Sequence, residues 1–414
     1  MSRDALNADR LNALFGVAES YQAPAALMAT MLDKDKRARL LGDAVSLHDD
    51  LSFDWFSAYF AEAHADRKKQ KQDFTPTGIA DIMSGLVGDT QTVLDVASGT
   101  GALLIPLVQK NPSAVVICEE ITERALPFLL LNLAMRNIAG HVCLGDSLTR
   151  KWKQVYRLTK GAQFSDIETV DTPPLGDVDT VIMNPPYSLG WSGETDERFD
   201  VFGVAPKSKA DYAFVLHGLH RLAQGGTLVA LLPHGVLFRS NREKTIRENL
   251  IKANLLDAVI GLPANAFSET GIPTAVVVLK KDRKPKGDTI VIDASDEFRK
   301  VGPMAVLGKE HIDKILTAYD KRRDMDKFAF VATRADMEYH EYNLNIPRYV
   351  DRYEKPYVAP LSEIIDDIEA LDAEIAETRE KLAGMMGDLV GATPESERAI
   401  RQFERFWRVR HGID

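Results

Sequence analysis

Apolar and polar positions change their period along this chain, and each change marks a different kind of element. Over the first seventy residues the apolar positions recur at helical spacing: Leu11, Leu14 and Phe15, then Ala26, Leu27, Met31 and Leu32, then Phe53, Phe56, Tyr59 and Phe60. From residue 92 onward, short β-branched and apolar runs alternate with helical stretches. The runs predict strands at 92–97, 114–118, 141–144, 178–183, 227–232, 255–262 and 273–279. Such alternation builds an α/β, Rossmann-like fold on a mostly parallel sheet of about seven strands. The last two runs are close enough in sequence to pair antiparallel around Phe267. Residues 289–293 offer one more strand, and 311–319 a helix. Two segments break the pattern. Residues 151–176 show no clear period and read as an insertion, and 188–209, rich in glycine and charge, read as a mobile flap.

Beyond Pro360 the period becomes heptad. Leu361, Ile364, Ile368, Leu371, Ile375, Thr378, Leu382, Met385 and Leu389 alternate by three and four, which predicts a coiled-coil-like helix over 361–389 seeking a partner helix. A last segment, 398–411, mixes five arginines with Phe403, Phe406 and Trp407. The expected domains are therefore a helical region over 1–70, an α/β domain over 71–300, an irregular and helical extension over 301–358, and a long helix with a basic tail over 359–414.

Composition narrows the classes. The 414 residues are 45% hydrophobic and 27% charged, as in ordinary globular proteins. A net charge of −10 excludes a generally basic nucleic-acid coat, so contact with phosphates has to come from local patches such as Arg67, Lys68, Lys69 and Lys71. Cys118 and Cys143 are too few for a disulfide framework or a zinc site, and no metal is expected. The opening lacks a signal-peptide apolar core and no run reaches membrane-spanning length, so a cytoplasmic location with no membrane contact is expected.

Chemistry concentrates where the fourth strand breaks into Asn184-Pro185-Pro186-Tyr187. A proline cannot extend the ladder and forces extended geometry on its predecessor, so Asn184 belongs at the carboxyl end of its strand. That edge is where open α/β sheets bind ligands. The Asn184 amide oxygen and the Pro185 carbonyl can converge as two acceptors on one exocyclic amino group, the prolines hold that backbone rigid, and Tyr187 offers a face for stacking. The turn Asp95-Val-Ala97-Ser-Gly99-Thr100-Gly101 after the first strand lets backbone approach a ligand at a helix N-terminus. Leu104 stands where a dinucleotide fingerprint needs glycine, and no P-loop lysine follows, so NAD, FAD and ATP are disfavoured. Glu120 ends the second strand, where it can accept ribose hydroxyls. Asp146, followed by Ser147, ends the third, where it can accept from an adenine amino group. Acids at successive strand ends suit a cationic nucleoside such as S-adenosyl-L-methionine.

These motifs and their order resemble the modification (M) subunit of type I restriction-modification systems, an N6-adenine DNA methyltransferase. The matching stretches are Gln72-Asp-Phe-Thr-Pro76, the Asp95 to Gly101 turn, Glu120, Gly145-Asp146-Ser147, Asn184 to Tyr187, Asp211-Tyr-Ala-Phe, Leu232-Pro-His-Gly-Val-Leu-Phe-Arg239, Val259-Ile-Gly-Leu-Pro263 and Tyr342-Asn-Leu-Asn345. The resemblance implies the S-adenosylmethionine-dependent methyltransferase fold, and transfer of a methyl group to N6 of an adenine flipped out of double-stranded DNA. It implies that Phe74, Thr75, Pro76, Thr77, Thr100, Gly101 and Glu120 line the cofactor pocket, and that Phe267 stacks on the base opposite Tyr187. It also implies a specificity (S) subunit docked on the 361–389 helix, with a second copy of the chain and a restriction subunit as further candidates. The rival readings are an NPPY enzyme acting on ribosomal RNA or a protein glutamine, and a non-catalytic cofactor-binding scaffold.

Overall fold

The computed structural model describes residues 6–63, 75–267, 271–284, 287–353 and 359–412. Within them the chain forms two compact units, 1–352 and 353–414. No described helix is long and apolar enough to cross a membrane.

The first unit opens with α1 (Ala8–Phe15), α2 (Ala23–Leu32), α3 (Lys34–Leu47) and α4 (Ser57–Ala63), followed by α5 (Thr77–Gly85). Then come β1 (Thr92–Val96), α6 (Leu104–Lys110), β2 (Val115–Glu120), α7 (Leu126–Met135), β3 (Gly140–Asp146), β4 (Lys151–Thr159), β5 (Asp166–Val170) and β6 (Val178–Met183). After a long loop follow α8 (Asp211–Arg221), β7 (Leu222–Pro233), α9 (Arg242–Lys252), β8 (Leu256–Gly261), β9 (Thr274–Lys280) and β10 (Thr289–Asp293). A small hairpin of β11 (Arg299–Val301) and β12 (Met304–Val306), then α10 (Lys309–Lys321), β13 (Ala329–Ala332) and α11 (Arg334–Tyr339), complete the unit.

One sheet carries eleven of these strands, in the order β13-β10-β8-β9-β7-β6-β1-β2-β3-β4-β5. The seven expected strands form its middle. Its parallel heart, β7-β6-β1-β2-β3, is buried on both faces, which is why these segments read as unbroken apolar runs. β8 and β9 pair antiparallel as their spacing predicted, and β10 forms beside β8.

The segment 151–176 is not an aperiodic insertion. It forms the hairpin β4–β5, which adds antiparallel to the β3 edge. Its strands bury chiefly one face: Tyr156, Leu158 and Ile167 point inward while Lys151, Lys153, Arg157 and Glu168 stay exposed. This leaves a sparse apolar signal. The helical region covers that face, with buried Arg37 of α3 paired to Asp166 of β5. It also seals against α7, where Phe128 makes ring contacts with Phe15, Phe56, Tyr59 and Phe60. At the far edge, residues past 300 return to the sheet, β13 pairing antiparallel with β10.

The second unit is α12 (Leu361–Gly387) and α13 (Pro394–His411). Ala383 and Met386 of α12 are buried, whereas Leu361, Ile364, Ile368, Leu371, Ile375, Leu382 and Met385 lie exposed along the heptad seam.

Candidate active site

Strand register alone brings the site's elements together. Val96 of β1 lies opposite Glu119 of β2 on one side and Met183 of β6 on the other, and Glu120 lies opposite Leu144 of β3. Asn184, one residue beyond Met183, therefore stands level with the turn that follows Val96. Glu120 and Asp146 close the neighbouring strand ends.

The turn is tight. Ala97, Gly99 and Gly101 all have positive φ, at 63°, 58° and 92°. At Gly101 a Cβ would come within 2.9 Å of Leu129 Cδ1, so a side chain there would push against α7. Ser98 N–H donates to Glu119 O at 2.9 Å and the Ser98 hydroxyl to Asp95 O at 2.9 Å. Glu120 accepts from Gly99 N–H and from Thr122 N–H, both at 2.7 Å. Burial pushes its carboxyl up, and these bonds pull against that rise.

A cavity of about 360 Å³ opens over these strand ends, in the size range of small-molecule sites. Of the residues expected from sequence, Thr75, Ala97, Gly99, Thr100, Glu120, Asp146, Ser147 and Asn184 through Tyr187 line it. Pro76 caps α5 and Thr77 is exposed, both away from the lining. Gly101 and Asp95 lie beneath the lining rather than in it, and Phe74 falls outside the described residues. Asn184 Nδ2 donates to Thr75 Oγ1 at 2.9 Å, which restrains the amide. Tyr187 and Phe267 do meet, with centroids 6.2 Å apart, but edge to face at 89°. A base cannot lie between rings in that arrangement, so a sandwich requires one ring to turn.

Three groups of residues around the cavity escaped the sequence. First, Glu119, not only Glu120, faces the cavity. Its Oε2 lies 2.9 Å from His217 Nε2, and His217 Nδ1 lies 2.9 Å from Arg198 Nη1. A guanidinium only donates, so Nδ1 accepts and Nε2 carries the hydrogen given to Glu119. Burial pushes the Glu119 carboxyl up, but the imidazole and the Ser147 hydroxyl bring it below its ordinary value.

Second, Arg198 pins the loop expected to be a flap. It is 4% exposed, donates to the carbonyls of Ser147 and Leu148, and pairs with Asp196. A single arginine among many charges carries no sequence sign that it will be buried. Third, Asp54 of the helical region accepts from the Thr100 hydroxyl and, at 2.7 Å, from Asn132 Nδ2. The Thr100 hydroxyl is thus engaged by the protein, although the residue lines the cavity.

The parallel sheet, the glycine turn and the acids at successive strand ends define the nucleoside-binding fold of S-adenosylmethionine-dependent methyltransferases. Comparison with known proteins gives the family. The N-6 DNA methylase model matches residues 49–356, and the chain belongs to that family. It is 33% identical over 318 residues to a type I restriction enzyme methylase subunit of Mycoplasma pneumoniae, covering 71% of this chain and 56% of that protein. A type I methylase subunit of Methanocaldococcus jannaschii is 28% identical over 374 residues, covering 85% and 60%. Among solved structures, the methyltransferase subunit of a Streptococcus thermophilus type I restriction-modification system is 38% identical with a TM-score of 0.60, over 68% of this chain and 59% of that one. The chain thus spans somewhat over half the length of the curated relatives it matches.

The family's cofactor is S-adenosylmethionine, and the residues present fit it. Asp95 is wholly buried with neither carboxylate oxygen hydrogen-bonded. Burial first, then the nearby Glu120 and Glu119, push its carboxyl well above the ordinary range. A site floor with three clustered acids favours a ligand that brings positive charge.

Proposed function

We propose that the chain transfers a methyl group to N6 of an adenine turned out of double-stranded DNA, as the modification subunit of a type I-like restriction-modification system in the cytoplasm. S-adenosylmethionine, when bound, supplies the methyl group on a cationic sulfur. Thr75, Ala97, Gly99, Thr100 and Glu120 hold it, Glu120 accepting from ribose hydroxyls and Asp146 with Ser147 meeting its adenine.

The protein's further task is to present the acceptor nitrogen. The N6 lone pair is delocalised into the purine ring and attacks poorly. Asn184 Oδ1 and the Pro185 carbonyl each accept one amino hydrogen, which favours a pyramidal nitrogen with its lone pair aimed at the methyl carbon. Tyr187 stacks on the extruded base and Phe267 turns to take the other face, each stacking contact offsetting about 1–3 kcal/mol of the cost of leaving the duplex. Sequence recognition is delegated to a specificity subunit docked on the exposed heptad seam of α12. A second copy of the chain and a restriction subunit complete the assembly.

The observation that carries this reading is the placing of Asn184 at the β6 end, level with the glycine turn, with its Nδ2 engaged by Thr75. Asn184→Ala is expected to abolish tritiated-methyl transfer to unmethylated DNA while S-adenosylmethionine still binds in calorimetric titration. Transfer at the wild-type rate rules the mechanism out.

A further inference from the structure

Immediately after Tyr187 the backbone enters a conformation that L-residues avoid. Ser188 has φ 51°, in the left-handed region, with no glycine to ease it. Two side chains from distant parts of the chain hold it there. Asp211, the first residue of α8 and fully buried, accepts Ser188 N–H through Oδ1 at 2.8 Å. Its Oδ2 accepts from Arg239 Nη1 at 3.1 Å, and Arg239 Nη2 donates to the Ser188 hydroxyl at 3.2 Å. The three residues close a ring of charge-assisted bonds around one strained residue. Gly235 makes room for it, since a Cβ there would lie 2.6 Å from Arg239 Nε.

We infer that Asp211 and Arg239 are positioning residues that lock the Asn184–Tyr187 segment in its reactive posture by holding Ser188 in the left-handed region. The inference rests on the reading that this segment grips the target base. Without the clamp, Ser188 relaxes to negative φ and carries the Tyr187 ring and the Asn184 amide with it. A shift of about 1 Å at reacting groups costs roughly a hundredfold in rate. The glycine turn follows β1, on another strand, so the main loss falls on transfer rather than on cofactor affinity.

The test is single-turnover methyl transfer from tritiated S-adenosylmethionine to unmethylated plasmid DNA, using the full chain with its partner subunit, beside calorimetric titration of the cofactor. R239A is expected to slow transfer about a hundredfold with cofactor affinity unchanged. R239K keeps the charge beside Asp211 and beside Glu243, whose Oε1 also accepts from Arg239 Nη1 at 3.1 Å, but loses the fork, so it covers the case in which R239A does not fold; it is expected to slow transfer about tenfold. In an S188G background left-handed geometry costs little, so the R239A penalty should shrink to about tenfold. A penalty equal in both backgrounds, a loss that falls on cofactor affinity, or a wild-type rate in R239K overturns the inference. N184A, run alongside, separates the two ideas: if it is active, the reading of the loop has failed rather than the clamp.

Discussion

Replacing Asp54 with alanine asks how strongly the helical region is tied to the cofactor turn. The Asp54 carboxylate accepts from the Thr100 hydroxyl, from Asn132 Nδ2 at 2.7 Å and from Phe56 N–H at 2.9 Å. Beside it Arg136, which burial pulls down to about 10 against the opposing charges of Asp54 and Asp50, ties the carbonyls of Leu51 and Phe53 to α7. A hydrogen bond to a charged group contributes about 1.5–3 kcal/mol. Thr100 and Asn132 are each 1% exposed, so water does not replace the lost acceptor. Asn132 keeps its bond to Thr100 O at 2.8 Å, and Asp54 is itself only half-buried, which lowers the total. About 3 kcal/mol remains. For a unit of 352 residues that corresponds to a fall in Tm of roughly 4 °C, read by calorimetry. Thr100, freed, also loosens the turn, so the Kd for S-adenosylmethionine should rise about tenfold. D54N keeps one acceptor and should fall between. An unchanged Tm together with an unchanged Kd would refute the tie.

Three further outcomes are expected. Because the Asp95 and Glu120 carboxyls are raised, their ionised forms cost the fold stability, a cost absent below the ordinary carboxylate range and fully present above the raised values. A cation relieves it, so the rise in Tm on adding S-adenosylmethionine should grow as pH climbs through that window, and should grow less with S-adenosylhomocysteine, which lacks the sulfonium charge; a pH-independent rise in Tm contradicts the charge argument. Phe267→Ala should lower affinity for a flipped base by about 1–3 kcal/mol, seen as weaker 2-aminopurine fluorescence at the target, and equal fluorescence would mean Tyr187 stacks alone. Ile368→Glu and Leu371→Glu in the exposed seam of α12 should remove association with a specificity subunit in size-exclusion runs while the Tm of the first unit stays put; unaltered association would send the search for the docking face elsewhere.

What the residues determined alone was everything that depends on near neighbours in the chain. The central strands are buried on both faces, so their apolar runs were unbroken and readable, and the two prolines stopped β6 at Asn184 whatever lay around it. The heptad of α12 was equally local. Tertiary structure decided the rest. β4 and β5 bury one face each beneath helices a hundred residues earlier, so their apolar residues were too few to show a period. Asp54, Arg198, Asp211 and Arg239 are charged residues like many others in this chain, and only folding brings each against the hydrogen-bonding groups that single it out. A strand records its burial in its own composition. A buried ion or hydrogen-bond clamp depends on two or three residues far apart in sequence, and no short window contains it.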